Sequence, residues 1–139
     1  MKLFVLFVGK ERDPHANGIA QDFVQRTSRY VQVEMREVRP ERFDPWERHP
    51  SAKKVCLDPA GRTMTSQSFT QLIEQGEREG RDLVFLIGGH HGLPAAWRSR
   101  ADLLLSLSAM TFPHELARAC LAEQIYRAYT TLRGHPYPR

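Results

Sequence analysis

The feature that most constrains this chain is an unbroken apolar run, residues 83–87, that leads directly into a glycine-rich turn, residues 88–93. Five successive apolar residues leave no polar face for water. The run therefore predicts a strand covered on both sides, as in a parallel sheet. Residues 3–8 form a similar run that ends at Gly9, and they predict a second strand of the same kind.

Three further segments have strand character. Residues 31–38 alternate apolar and polar side chains almost strictly, which predicts a half-exposed strand at a sheet edge. Residues 53–58 predict a third strand, ended by Pro59–Ala60–Gly61, and residues 103–107 predict a fifth strand late in the chain. Each predicted strand is short enough to fit a small single sheet.

Amphipathic stretches with helical spacing lie between most of these strands. The predicted helices cover residues 16–30, 66–79, 94–100 and 113–133, with Thr65 or Ser66 as a cap and Gly80 as a stop. Pro113 falls in the first turn of the last helix. Residues 39–52 contain three prolines, which argue against a regular helix. We predict one α/β domain over residues 1–139, built on a mostly parallel sheet with flanking helices.

Composition narrows the class of partner and the compartment. The chain has 20 basic and 16 acidic residues and a pI near 9.4, which favours an anionic partner such as nucleic acid. Cys56 and Cys120 are predicted to be small buried hydrophobic residues, not a disulfide or a zinc site. No signal-peptide pattern and no apolar run of about 18–20 residues is present. We therefore expect a cytoplasmic protein that does not enter a membrane.

The glycine turn predicts where a ligand binds. In an open α/β sheet, ligands lie beyond the carboxyl ends of the strands, and glycines there permit close backbone approach. The turn matches neither a phosphate loop nor the dinucleotide fingerprint, so a nucleotide-like ligand and a plain strand–helix turn both stay open. Adjacent His90 and His91 are poorly spaced for a metal pair. Asp58, at a strand end, is either catalytic or a turn-capping carboxylate.

Several ordered motifs resemble a known family. The C-terminal third resembles the large-subunit ribosomal RNA pseudouridine N3-methyltransferases of the SPOUT class, the methyltransferase H family. The similarity extends over nearly the whole chain, including its opening residues. The motifs that carry it are residues 1–10, 57–61, 86–93, 105–114, Arg118, 123–128 and 135–137.

The resemblance implies a small parallel α/β domain whose C-terminal segment forms a trefoil knot. It also implies a homodimer, with each active site completed at the dimer interface, and S-adenosylmethionine as cofactor without a metal. Eight positions match the family's cofactor contacts: Leu57, Gly88, Leu107, Ser108, Ala109, Met110, Thr111 and Phe112.

The resemblance also directs attention to the C-terminal tail. His135, Tyr137 and Arg139 are predicted to be catalytic, and His114 and Arg118 to bind the RNA substrate. Arginine can hold phosphate or stabilise a deprotonated imide, tyrosine can stack on a base, and histidine can accept a proton near neutral pH.

Two departures from the family pattern leave alternatives open. Pro138 stands where the family usually has histidine, and residues 39–52 are shorter than the family's segment and lack its helix. The main hypothesis is methylation of N3 of a pseudouridine in large-subunit ribosomal RNA, with the ribosome as partner. The alternatives are a non-catalytic ribosome- or RNA-binding module that keeps the knot, and a related transfer RNA methyltransferase.

Overall fold

The computed structural model describes residues 1–138. Within this part of the chain, strands and helices alternate. The strands are β1 (Lys2–Val8), β2 (Gln32–Val38), β3 (Lys53–Thr63), β4 (Leu83–Ile87) and β5 (Leu103–Ser106). The helices are α1 (Pro14–Thr27), α2 (Pro45–Arg48), α3 (Ser66–Glu79), α4 (Ala95–Arg100) and α5 (His114–Leu132).

The strands form one parallel sheet in the order β2-β1-β4-β3-β5. Every residue of β4 is buried, as the unbroken apolar run predicts for a central strand. β2 lies at one edge with an alternating exposure, which confirms the predicted half-exposed edge strand. The predicted parallel α/β fold is therefore confirmed, and the carboxyl ends of all five strands face the same side of the molecule.

Helices cover both faces of the sheet. On one face, α3 and α5 pack on the odd-numbered residues of β1 and β4, with Phe69, Ile73 and Tyr129 in the core. On the other face, Trp97 of α4 packs against the even-numbered residues, and Trp46 of α2 lies beside them. Since the successive side chains of a strand point to opposite faces, covering both faces requires the continuous apolar sequence seen in β1 and β4.

Helix boundaries follow local capping chemistry. Thr65 caps α3 by accepting the N–H of Ser68, and Gly80 ends this helix in the left-handed conformation, with φ of 61°. Both features confirm the sequence prediction. The prediction of no regular helix in residues 39–52 was wrong at α2, a single turn. There, Asp44 caps the helix and Pro45 occupies the first position. The N–H at that position has no partner within a helix, so its absence in proline costs no hydrogen bond.

Other boundaries differ from the prediction. β3 continues to Thr63 instead of ending at Asp58, because after a register shift Arg62 and Thr63 pair with β5. β5 ends at Ser106, one residue early. α1 begins at Pro14 and ends at Thr27, not at Ala16 and Tyr30. Pro113 is the N-cap of α5 rather than a residue of its first turn.

The two cysteines are free thiols. Cys56 is buried with a free thiol, and burial, then the charge of Asp58, raises the pKa of this thiol to about 12. Cys120 is also a free thiol, partly buried. Across residues 1–138, no helix is both long and apolar enough to cross a membrane. The trefoil knot stays a prediction from the resemblance.

Candidate active site

A cavity of about 330 Å³ opens at the carboxyl edge of the sheet. Its walls come from the middle of β3, where the pairing with β5 shifts register, the end of β4, the glycine turn, and the loop between β5 and α5. Apolar side chains predominate, with a few polar groups among them. The lining residues are Leu57, Asp58, Pro59, Ile87, Gly88, Gly89, His91, Gly92, Leu93, Arg98, Leu105, Ser106, Leu107, Ser108, Met110, Thr111, Phe112, His114 and Ala117.

Almost all the residues predicted to contact the cofactor line this cavity. Leu57, Gly88 and the run from residue 107 to 112 line it, except Ala109, which is exposed beside it. Hydrogen bonds fix the loop: the Ser106 hydroxyl donates to the Ser108 carbonyl at 2.8 Å, and the Met110 N–H donates to Ser108 Oγ at 3.0 Å. A segment without regular secondary structure thus holds a defined shape in the cavity wall.

The glycine turn is tight because the chain folds against itself. A Cβ on Gly88 would lie 2.6 Å from the carbonyl carbon of Gly92, and a Cβ on Gly89 would lie 2.6 Å from the Val8 oxygen. Gly92 itself has a φ of 75°. The glycines at 88 and 89 therefore permit approach of protein backbone, whereas the sequence interpretation invoked approach of a ligand. Both apply at Gly88, because it also lines the cavity.

Asp58 takes the capping role that the sequence left open. It is 8% exposed, and its Oδ1 accepts the Ala60 N–H at 2.8 Å. Its Oδ2 lies 3.4 Å from Nη1 of Arg98 on α4. The pair sits in the cavity wall, so a capping carboxylate also presents charge to a bound ligand.

His114, the first residue of α5, lines the cavity and is half-buried. Burial, and then the nearby charge of Arg118, lowers the pKa of His114 below its ordinary value. Its Nε2 is 3.9 Å from Oε1 of Glu115. The imidazole is therefore neutral near pH 7 and is able to accept a proton inside the cavity.

Arg118 faces the protein interior, although the sequence predicted it to bind substrate. It is 0% exposed, and its guanidinium lies 3.9 Å over the Phe7 ring. Nη1 and Nη2 donate to Asn17 Oδ1 and to the Val8 and Gly9 carbonyls at 3.3–3.4 Å. Contact with an RNA phosphate is not available to Arg118 in this arrangement. Instead, Arg118 ties the start of α5 to the end of β1.

Glu115 completes this buried network, a role that the sequence did not predict. Its carboxylate accepts the N–H groups of Arg12 and Asp13 at 3.0 and 2.6 Å, and the Asn17 side-chain amide at 2.9 Å. The only sequence signal is an acidic residue in the first turn of a helix, a common dipole effect. The network anchors the start of α5, and with it His114, to the loop after β1.

The C-terminal tail folds back along α5, away from the cavity of its own chain. The Tyr137 hydroxyl donates to Oε2 of Glu123 at 2.8 Å, and its ring lies 4.8 Å from that of Tyr126. Along the helix axis, these partners lie about 9–14 Å beyond Ala117, the last lining residue. The cavity and the tail are therefore not brought together within one copy. Arg139 lies outside the described residues.

Two further tail contacts bear on chemistry. Nδ1 of His135 accepts the Tyr137 N–H at 3.2 Å, while the rest of the His135 ring is exposed. Burial, then the hydrogen bond to Glu123, raises the pKa of Tyr137 to about 12. At neutral pH, Tyr137 is consequently a protonated hydrogen-bond donor.

Four large apolar side chains are exposed, three of them at or near the start of α5. Met110 is 75% exposed, Leu116 is 42% exposed and Phe112 is 36% exposed, while Ile19 on α1 is 48% exposed. Within the described chain, no group of three potential metal ligands lies together. Large apolar side chains exposed within one short stretch, residues 110–116, favour a surface that binds another protein or a large ligand.

Solved structures share this fold. A probable methylase family protein from Haemophilus influenzae aligns over 99% of this chain and 70% of its own, with a TM-score of 0.65 at 8% identity. The SpoU methyltransferase AviRb from Streptomyces viridochromogenes, solved with AdoMet, aligns over 92% of this chain and 58% of its own, with a TM-score of 0.56 at 16% identity. At such identities, the likeness establishes the fold alone: this chain shares the parallel α/β fold of these proteins.

Sequence comparison is more specific. The model of the family described as predicted SPOUT methyltransferase matches residues 1–138. The ribosomal RNA large subunit methyltransferase H of Solibacter usitatus is 67% identical over 139 residues, all of both chains. Its counterpart from Laribacter hongkongensis is 37% identical over 155 aligned positions, covering 100% of this chain and 99% of that one. The chain belongs to the SPOUT methyltransferase family, within the group of the ribosomal RNA large subunit methyltransferases H.

Proposed function

We propose that this protein is an S-adenosylmethionine-dependent methyltransferase that methylates N3 of a pseudouridine in large-subunit ribosomal RNA. Membership in the SPOUT family makes it a methyltransferase. The observation that carries the RNA substrate is the relative that is 67% identical over both full chains and named for ribosomal RNA of the large subunit. N3 of pseudouridine as acceptor rests on the resemblance of the sequence motifs.

The cavity suits the cofactor. Its volume of about 330 Å³ is at the small end of the range for ligand pockets, about 300–1,000 Å³. Leu57, Leu107 and Met110 offer an apolar slot for adenine, and backbone groups near Gly88 offer polar partners for its edge. When bound, S-adenosylmethionine supplies a methyl group already activated by a sulfonium, so the transfer needs no metal.

The chain's own residues have to position the substrate and remove a proton. His114 lines the cavity as a neutral imidazole, so we assign it the role of orienting the uracil ring or accepting the N3 proton. The network of Glu115, Arg118 and Asn17 holds His114 in place. Fixing two reactants in line can contribute about 7–11 kcal/mol of the barrier reduction.

A homodimer brings the tail to the cavity. In one copy, Tyr137 packs beside Glu123 while the cavity lies at the other end of α5. Two copies related by a two-fold axis place the tail of one near the cavity of the other when their α5 helices run antiparallel. The exposed apolar residues around Leu116 provide surface for that contact. In this account His135, Tyr137 and Arg139 act on substrate bound to the partner copy.

The substrate sets the partners and the location. A ribosomal RNA methyltransferase works with RNA or the ribosome, in the cytoplasm, and the excess of basic residues, 20 against 16 acidic, favours such an anionic partner. In our proposal neither a metal nor a membrane takes part.

Methyl transfer in vitro tests the proposal. Purified protein is incubated with methyl-labelled S-adenosylmethionine and, in separate reactions, ribosomes that lack the modification and transfer RNA. We expect label in large-subunit RNA and none in transfer RNA. Label in transfer RNA instead would support the related transfer RNA methyltransferase. Cofactor binding and tight ribosome binding without turnover would support the non-catalytic module. That alternative is suggested by Pro138, which stands where the family usually has histidine.

A further inference from the structure

Asp58 is the one carboxylate among the residues that line the cavity within residues 1–138. The side chain is nine-tenths buried, and a charge held there needs compensation. Oδ1 is occupied by the Ala60 N–H at 2.8 Å, which fixes the carboxylate in the wall. Oδ2 meets Arg98 Nη1 at the longer distance of 3.4 Å and keeps capacity for a second donor.

Arg98 lies next to this carboxylate in the cavity wall. Its side chain is 49% exposed, and in the described chain its hydrogen bonding is limited to the single contact with Asp58. A guanidinium carries five N–H donors in a planar fork. Most of these donors are therefore available to an anionic group that enters the cavity.

The amino-acid end of S-adenosylmethionine has matching charges. Its ammonium and carboxylate are bonded to one carbon atom, so a negative and a positive side chain next to each other can bind both at once. Asp58 and Arg98 are adjacent in this way. The other cavity side chains that can carry positive charge, His91 and His114, make no contact with Asp58 in the described residues.

We propose that Asp58 and Arg98 form a zwitterion clamp for the cofactor: the carboxylate of Asp58 binds the α-ammonium, and the guanidinium of Arg98 binds the α-carboxylate. The inference rests on the proposed function, since it takes the adenosyl cofactor as the ligand. The two residues already neutralise each other at 3.4 Å, so the clamp is preorganised. The apolar part of the cavity is left for the adenosine.

Binding calorimetry with trimmed ligands tests the clamp without measuring catalysis. Methylthioadenosine keeps the adenosine and the thioether but lacks the amino-acid end. Decarboxylated S-adenosylmethionine lacks only the carboxylate. Asp58→Asn should bind S-adenosylhomocysteine about 10- to 100-fold more weakly, the range for a charged hydrogen bond, and methylthioadenosine as well as wild type does. Arg98→Gln should weaken S-adenosylmethionine similarly and leave its decarboxylated form unaffected.

Controls separate the possible failures. Arg100 lies on the same helix as Arg98, but it pairs with Asp44 at 3.7 Å and does not line the cavity. The Arg100→Gln variant should therefore bind every ligand as wild type does. Asparagine at 58 keeps an oxygen for the Ala60 N–H, and thermal unfolding checks the fold. If Asp58→Asn does not fold, the Arg98→Gln comparison decides alone.

Equal losses of affinity for full and trimmed ligands would overturn the clamp. They would show that Asp58 contacts the ribose or only maintains the shape of the cavity wall. If wild type binds S-adenosylhomocysteine and both variants match it, the clamp fails while the proposed function stands. If wild type binds none of the adenosyl ligands, the proposed function fails and the clamp fails with it.

Discussion

At the residue scale, Gly88 tolerates no side chain. A Cβ at this position would lie 2.6 Å from backbone of Gly92, and backbone cannot move aside as a flexible side chain can. We predict that Gly88→Ala destabilises the fold by about 1–3 kcal/mol, as overpacking typically does, and reshapes the cavity. Urea unfolding measures the loss.

Gly18 is the matched control. It lies inside α1, and an added Cβ there would meet no atom within 4 Å. Alanine is a better helix former than glycine, so Gly18→Ala should stabilise by about 0.5–1 kcal/mol. Opposite signs for the two substitutions are the expected result. Equal stability of Gly88→Ala and wild type would contradict the close approach in the turn.

Glu115 is a second residue with a large predicted effect. Burial alone would raise the pKa of its carboxyl, but the N–H donors of Asp13, Arg12 and Asn17 outweigh burial and hold the pKa below its ordinary 4.5. A depressed carboxyl pKa stabilises the fold above about pH 4.5, and this contribution disappears as the pH falls through the folded value. Glu115→Gln should cost about 1–3 kcal/mol near neutral pH.

The pH dependence distinguishes charge from shape. Urea unfolding from about pH 7 down to about pH 3 should show the difference between wild type and Glu115→Gln narrowing below about pH 4.5. Glu74→Gln, which breaks an exposed pair with Arg78, should cost less than about 1 kcal/mol at neutral pH. A Glu115→Gln cost that stays constant across the series would show that the carboxylate charge is not what the network uses.

At the element scale, the sequence predicts strands better than their ends. The unbroken apolar run at β4 has no polar face for water, so it specifies a central strand. The alternating pattern at β2 has one polar face, so it specifies an edge strand. The end of β3 was mispredicted because Pro59 and Gly61 are turn residues, yet the chain resumes pairing with β5 at Arg62. That pairing depends on a partner strand distant in sequence, which local preference cannot report.

In the candidate site, too, the sequence predicts some placements and not others. Glycines and the run from residue 107 to 112 mark the cavity, since their position after strands fixes where they lie. Burial of Arg118 was not predictable, because an arginine near a helix start is ordinarily exposed. Its placement depends on the carbonyls of Val8 and Gly9 at the end of β1, more than a hundred residues earlier. The fold of the tail against Glu123 is likewise a tertiary contact.

The docked tail makes a prediction of its own. Tyr137→Phe keeps the ring packing against Tyr126 but removes the hydroxyl that donates to Glu123. We expect a loss of about 1 kcal/mol in unfolding free energy, together with faster exchange of the backbone amides of His135 and Tyr137, since Pro136 and Pro138 have none. Tyr30→Phe, in the same ring cluster, is the control and should stay within about 0.5 kcal/mol of wild type. Unchanged exchange in Tyr137→Phe would mean that the hydroxyl does not hold the tail.

At the scale of the whole molecule, the account requires two copies for one complete site. A cavity variant, His114→Ala, and a tail variant ending at residue 134 should each be inactive. In a mixed dimer, one site combines the intact cavity of the tail variant with the intact tail of the cavity variant. We expect about half of wild-type activity per dimer, since one of two sites is complete.

Co-expression with two different affinity tags isolates the mixed dimer, and methyl transfer to ribosomes measures its activity. A mixture of the two separately purified variants, assayed before subunits exchange, is the control. An inactive mixed dimer would contradict the shared site, as would a tail variant that is active alone.

The most direct test of the central claim is mass spectrometry of nucleosides from large-subunit ribosomal RNA of cells with and without this gene. We predict N3-methylpseudouridine in the RNA of cells that carry the gene, its absence when the gene is deleted, and its return when the wild-type chain is supplied. The same amount of N3-methylpseudouridine with and without the gene would contradict the account.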